Sequence, residues 1–128
     1  MNTRSRPTVA VIDDDLVVLE SLSDLLESAG YAALTFSSAD ALLRGETLHA
    51  IDCLISDICM PGLDGWAVMA LAHRQRPQLP IILFTADDQA ARTTLGMPLA
   101  RDVHSLFRKP FDAQELLSAI ADALESGG

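Results

Sequence analysis

Thr-Val-Ala-Val-Ile-Asp-Asp-Asp, residues 8–15, is the stretch whose reading decides the fold. Five uncharged, mostly β-branched residues have the composition of a strand covered on both faces, and three aspartates follow at once. The same event recurs three times. Ile51–Ser56 ends at Asp57, Ile81–Phe84 ends at Thr85, and Val103–Phe107 is followed, after Arg108, by Lys109 and Pro110. In an open parallel sheet the carboxyl ends of the strands line one edge, and ligands bind along that edge. Four segments therefore deliver an acid pair, a third carboxylate, a hydroxyl and an ammonium to one place.

Helical periodicity fills the intervals. After Asp15 as N-cap, Leu19, Leu22, Leu26 and Ala29 repeat at helical spacing, and Gly30 supplies the left-handed residue that stops the helix. Tyr31–Phe36 reads as the second strand. Ser37 with Asp40 resembles a capping box and opens a short helix to about Arg44. Pro61, Gly62 and Gly65 break either period, so residues 59–65 are irregular. A helix of about Trp66–Arg76 follows, with Val68, Leu71 and Ala72 inward. Gly96 and Pro98 cut any helix within Asp87–Asp102 to a few turns, predicting a short fourth crossover helix and then an irregular connection. The last helix opens at Asp112 with Glu115 at N3 and buries Leu116, Leu117, Ile120 and Leu124. Met1–Pro7 and Ser126–Gly128 read as frayed ends. Five strands alternating with five helices predict an α/β doubly wound parallel sheet, with right-handed crossovers placing helices on both faces.

At 128 residues the chain reads as one domain over 1–128, its core about 8–125, with no second domain after the last helix. The 49% apolar fraction is poor in aromatics, so the core is aliphatic. A formal charge of −9 from nine basic and eighteen acidic residues speaks against direct nucleic acid binding, which needs clustered Lys and Arg. Cys53 and Cys59 have no His or Cys cluster to complete a zinc site, and read as reduced thiols. No signal peptide and no apolar run near the roughly 20 residues of a membrane span is present, so the expectation is a cytoplasmic protein without membrane contact.

The acids carry the chemistry. Two carboxylates about 4 Å apart repel by roughly 4 kcal/mol at an effective dielectric of 20. A site gathering Asp13, Asp14 and Asp57 must keep one protonated or hold a cation. Mg²⁺ suits it, taking hard oxygen ligands from one or two carboxylates and the rest from waters and phosphate. Asp57 is then a candidate nucleophile, since a carboxylate can attack phosphorus to give an acyl phosphate. Lys109, ending a buried strand, would aim its ammonium into the site. Its bond to Pro110 is a candidate cis peptide that would fix that direction. Thr85 can donate its hydroxyl to a phosphoryl oxygen. Taken singly each residue has a plainer reading: a capped and solvated turn for the acid run, a turn residue for Asp57, an exposed lysine, a β-branched strand residue.

The joint order is less easily dismissed. Asp-Asp, then Asp57 with Met-Pro-Gly-Leu-Asp-Gly (60–65), then Thr85-Ala, then Lys109-Pro-Phe resembles the receiver domains of two-component response regulators from about Val9 to Leu124. Val-Ile-Asp-Asp-Asp (11–15) and Ser-Ala-Gly-Tyr (28–31) are most similar to the FixJ and LuxR-type subgroup of transcription factors. The resemblance implies a flavodoxin-like fold with strand order 2-1-3-4-5. It also implies that Asp57 accepts a phosphoryl group from a histidine kinase. Asp14, helped by Asp13, Asp57 and the backbone carbonyl of Cys59, would hold Mg²⁺, while Thr85 and Lys109 bind phosphoryl oxygens. It implies a signalling domain, not an enzyme, that acts on an output domain or protein through the face of the fourth helix, fifth strand and fifth helix. Phosphorylation-dependent homodimerisation is a further expectation. Cys59 and Asp87, two residues beyond Asp57 and Thr85, lie where receivers tune dephosphorylation.

There are departures. Receivers usually carry Tyr or Phe three residues before the lysine, as rotameric partner of the threonine; here it is Leu106. Asp102-Val103 replaces the usual Gly-Ala. The expectation is that the signal runs through reordering of Asp87–Val103 instead of an aromatic gate. One alternative is a receiver-shaped docking module that is never phosphorylated. Another, a haloacid dehalogenase-type phosphatase, needs a second acid two residues after the nucleophile, where Cys59 stands. A dinucleotide or flavin module needs a glycine-rich loop where Asp13–Asp15 would repel a pyrophosphate.

Overall fold

In the computed structural model a five-stranded parallel sheet of order β2-β1-β3-β4-β5 forms the centre. The structure describes residues 6–44, 47–58, 65–85, 105–108 and 112–127, and of residues 44, 105–108, 126 and 127 the backbone alone. The strands are β1 (Thr8–Ile12), β2 (Ala32–Phe36), β3 (Cys53–Asp57), β4 (Ile81–Thr85) and β5 (Ser105–Arg108). The helices are α1 (Leu16–Ser28), α2 (Ala39–Arg44), α3 (Thr47–Ala50), α4 (Gly65–Gln75) and α5 (Ala113–Gly127).

Alternation along the strands divides the core into two layers. Val9 and Val11 of β1, Cys53 and Ile55 of β3, and Ile82 and Phe84 of β4 pack against Leu19, Leu22 and Leu26 of α1 and Leu116, Ile120 and Ala123 of α5. The residues between them, Ala10, Ile12, Leu54, Ile81 and Leu83, pack against Ala39, Leu42, Leu48, Val68, Met69 and Ala72 from α2, α3 and α4. Strands buried on both faces need uninterrupted apolar runs, which is why β1, β3 and β4 were legible by composition. The chain goes from β1 outward to β2 and returns to β3 on the other side of β1, so the order reverses between β1 and β3. Sheets of this kind open a crevice at that reversal, outside the carboxyl ends of the strands.

Local chemistry sets the boundaries. The Asp15 side chain accepts the Val17 N–H at 2.9 Å and caps α1. At its other end Tyr31 N–H donates to Leu26 O and Gly30 N–H to Glu27 O, a Schellman pair that needs the positive φ of Gly30, 93°. One Asp112 oxygen accepts from the N–H groups of Gln114 and Glu115, opening α5 as its sequence predicts. Arg76, just past α4, donates to the carbonyls of Leu48 and Ile51, tying that helix to the turn before β3.

Several expectations are corrected. β2 begins at Ala32, because Tyr31 N–H is spent on the α1 cap. β3 begins at Cys53 and not Ile51, since the Asp52 carboxylate takes the Thr8 N–H at 2.7 Å, and it continues through Asp57, which pairs with Phe84. β4 likewise runs on to Thr85, opposite Arg108, and β5 runs on to Arg108, one residue past the expected Phe107, its expected start at Val103 lying outside the described residues. The β2–β3 crossover holds two short helices in place of one, starting at Ala39, a residue later than a Ser37 cap implies. Ala29 is the exposed C-cap of α1. In α4, which spans Gly65–Gln75 and not Trp66–Arg76, Met69 takes the buried place given to Leu71. In α5, Ala123 joins Leu116 and Ile120 at the bottom of the face, and Leu117 and Leu124 flank it half-buried. That helix continues to Gly127, past the fraying expected from Ser126. The expected fourth crossover helix within 87–102 lies outside the described residues.

Candidate functional site: an acid cluster at the strand reversal

The crevice predicted by topology is lined by carboxylates. Asp13 and Asp14 follow β1, and Asp57 ends β3, the two strands between which the order reverses. Ligand oxygens of the three lie within 4.8 Å of one another, the one grouping among the described residues with metal-ligating side chains this close. Asp13 and Asp57 are buried, at 0% and 5% exposure, while Asp14 is open to solvent. Two carboxylates on the inside and one at the mouth form a cup whose charge is concentrated where water screens it least.

The backbone beneath is tightly determined. Asp13 N–H donates to Phe36 O at 3.1 Å, carrying the β1–β2 ladder one residue past the strand, and an Asp13 side-chain oxygen accepts Asp15 N–H at 2.9 Å. This second bond folds the acid run into a tight turn, so Asp15 caps α1 while Asp13 turns inward. On the other strand Asp57 is in register with Phe84, and Ile58 N–H donates to Phe84 O at 2.9 Å. Thr85, fully buried, is the next residue on β4. Every buried side-chain nitrogen and oxygen among the described residues has a hydrogen-bond partner.

The structure thus brings Asp13, Asp14 and Asp57 together as expected and puts Thr85 at the end of the adjoining strand. Leu106 stands in register with Leu83 on β5; its side chain is not described. Cys59, Asp87, Lys109 and Pro110 lie outside the described residues. Two residues were missed. Ser56 and Gly65 both touch the Asp57 main chain: the Ser56 hydroxyl donates to Asp57 O at 3.1 Å, and a Cβ on Gly65 would stand 2.7 Å from the same oxygen. A polar residue at an inward position of an otherwise apolar run was the signal for Ser56. For Gly65 the sequence showed only a breaker.

The family model described as response regulator receiver domain matches residues 9–121. The chain belongs to the response regulator receiver family. This receiver is 32% identical over 116 residues to the transcriptional regulatory protein FixJ of Bradyrhizobium diazoefficiens, covering 91% of this chain and 56% of that protein. It is 34% identical over 113 residues to the response regulator protein FleR of Pseudomonas aeruginosa, covering 88% of this chain and 24% of that one. It spans between about a quarter and somewhat over half of these relatives. A receiver domain crystal structure from Clostridium thermocellum superposes with a TM-score of 0.84 at 30% identity, covering 93% of this chain and 94% of that one. Full-length FixJ from B. japonicum gives 0.82 at 30%, covering 97% and 60%. The flavodoxin-like fold expected from the sequence is thereby shown, and so is a place in phosphorylation-controlled two-component signalling. Among the described residues no helix is long and apolar enough to cross a membrane.

Cys53, in the layer under α1 and α5, has no part in the acid cluster. Burial pushes its thiol up to about 12 from 9.0, the Leu54 backbone bond partly opposing and the nearby Asp52 charge adding to the rise. A protonated, buried thiol is a poor nucleophile. In a Cys59→Ser variant, Cys53 is expected to resist a disulfide reagent at pH 8 while the chain is folded and to react fully in denaturant. The sign of the pH effect follows from the raised folded value. Below about 9 the thiol is protonated in both states and stability is flat; between about 9 and about 12 only the unfolded chain ionises. Stability then falls with rising pH by up to about 1.4 kcal/mol per unit, read from urea unfolding against a Cys53→Ala reference. Fast labelling of the folded chain would contradict this placement.

Proposed function

We propose that this receiver accepts a phosphoryl group on Asp57 from the phosphohistidine of a histidine kinase, with Mg²⁺ held by Asp13, Asp14 and Asp57. The observation that carries the reading is the convergence of three carboxylate oxygens within 4.8 Å at the β1–β3 reversal. The donor set fits the ion: hard oxygens only, with a span that a cation taking ligands at about 2.1 Å bridges directly or through one of its waters. When bound, Mg²⁺ supplies positive charge that offsets the acids' mutual repulsion and the negative charge of the entering phosphoryl oxygens. The backbone carbonyl of Cys59 completes the proposed ligand set.

The protein's own groups perform the rest. An Asp57 carboxylate oxygen forms the new bond to phosphorus as the donor's P–N bond breaks; the electron pair leaves with the imidazole nitrogen, which takes up a proton. Asp57 is held for this by strand pairing on the β4 side, which limits its backbone to one direction. Thr85 and Lys109 are proposed to bind phosphoryl oxygens, with the Lys109–Pro110 peptide directing the ammonium. Cys59 and Asp87 are proposed to tune access of hydrolytic water. The reaction modifies the protein itself, so this is a signalling domain and not an enzyme with turnover on a separate substrate.

The modification replaces the single negative charge of the Asp57 carboxylate by an acyl phosphate of about −2, and the three phosphoryl oxygens are proposed to draw Thr85 toward the group and bias the surface around β5 and α5. To move a two-state surface from mostly off to mostly on, the difference in affinity for the partner must reach several kcal/mol. Leu106, opposite Leu83, replaces the aromatic of other receivers, so the signal is proposed to travel through residues 87–103 to an output domain or protein. The FixJ and FleR relatives, which extend well beyond the matched region, favour a covalently attached output domain, acting in the cytoplasm.

Incubation with acetyl phosphate and Mg²⁺ is expected to add the mass of one phosphoryl group to the intact chain, and none to Asp57→Ala or to wild type in chelator. An equal gain in Asp57→Ala would refute the assignment. Hydrogen exchange with beryllofluoride as phosphoryl mimic is expected to change protection over residues 87–103; identical protection there with and without the mimic would reject the proposed route.

A further inference from the structure

Before its terminal Asp57, strand β3 contains one polar side chain where alternation calls for an aliphatic one. Leu54 and Ile58, two residues either side of Ser56, belong to the layer packed by α2, α3 and α4, and Ser56 between them is 0% exposed. A hydroxyl in an aliphatic layer is costly to bury unless bonded. This one donates to the carbonyl oxygen of Asp57, at 3.1 Å.

That carbonyl needs a fixed position. The β1–β3 register ends at the Ile12 and Ser56 pair while Asp57 is in register with Phe84 of β4, so the Asp57 carbonyl stands where the β1 ladder stops. The first turn of α4 closes the remaining approach: Gly65 N–H donates to Ile58 O at 2.9 Å. Its missing Cβ would lie 2.7 Å from Asp57 O and 2.8 Å from the Ile58 Cα. Helix and strand end therefore meet at backbone contact, a distance only glycine permits.

We propose that Ser56 is a positioning residue for phosphoryl transfer. Its hydroxyl, with the glycine contact of Gly65, locks the main chain under Asp57 so that the carboxylate stays aimed at Asp13 and Asp14. The proposal rests on Asp57 being the phosphoacceptor. Small misplacement of a reacting group is expensive in rate, since a productive geometry is a narrow fraction of the accessible ones. Losing one neutral hydrogen bond sets the scale, about fivefold in rate.

The test measures phosphorylation of the full chain by acetyl phosphate in saturating Mg²⁺, followed by intact mass over a range of donor concentrations. Ser56→Ala is expected to lower the maximal rate about fivefold while the half-saturating donor concentration stays put. Ser56→Cys keeps the shape with a weak donor, so it should fold like wild type and also be slow, and Ser56→Thr should restore the rate. Gly65→Ala should slow transfer in the same way. Wild-type maximal rates in folded Ser56→Ala and Ser56→Cys would overturn the proposal, as would a change confined to donor affinity. If wild type itself takes up no phosphoryl group, the assignment of Asp57 is what fails.

Discussion

Repulsion among three carboxylates is the constraint on which the rest of the structure depends. Asp13, Asp14 and Asp57 are gathered within 4.8 Å although two of them are buried. Two carboxylates about 4 Å apart repel by on the order of 4 kcal/mol at an effective dielectric of 20, and water screens the exposed Asp14 more than the buried pair. Asp14 faces water, but the two buried acids cannot relax by swinging their side chains out. Asp13 is bonded to Asp15 N–H, and Asp57 lies in a strand paired with β4. The fold is thus held in a condition that a cation relieves.

The scaffold explains how such a condition is tolerated. Two aliphatic layers grip β1 and β3 from both faces, and the acids are confined to the carboxyl edge, where no strand pairing is given up to seat them. Ser56 and Gly65 extend that rigidity to the Asp57 peptide itself. Rigidity at the acceptor and adaptability elsewhere are complementary: a phosphoryl group alters charge at one fixed point, and the response must come from elements that can rearrange.

Much of this was legible in the sequence because the controlling forces were local or periodic. Uninterrupted apolar runs gave β1, β3 and β4, Asp15 and Gly30 gave both ends of α1, and Asp112 gave the start of α5. The acid cluster was legible because parallel topology carries strand ends to one edge. The misses were of another kind. Asp57 and Thr85 read as residues after strands yet lie within them, since pairing with Phe84 and Arg108 extends each ladder in a way one strand alone cannot reveal. Met69 displaced Leu71 because inward direction depends on how the α4 axis lies over the sheet. Gly65 read as a breaker, while its close approach to Asp57 exists only once helix and strand are packed. The two-piece crossover of α2 and α3 rests on tertiary support from Arg76, far along the chain.

The central claim is that the acids are strained together and relieved by a cation, and urea unfolding of wild type and Asp57→Asn, with and without Mg²⁺, tests it most directly. Without the ion, removing one charge should make the variant more stable than wild type. With Mg²⁺ at 100 times its dissociation constant, wild type should gain about 2.7 kcal/mol, and the variant much less. An Asp57→Asn chain less stable than wild type in chelator, together with a wild type indifferent to Mg²⁺, would contradict the account.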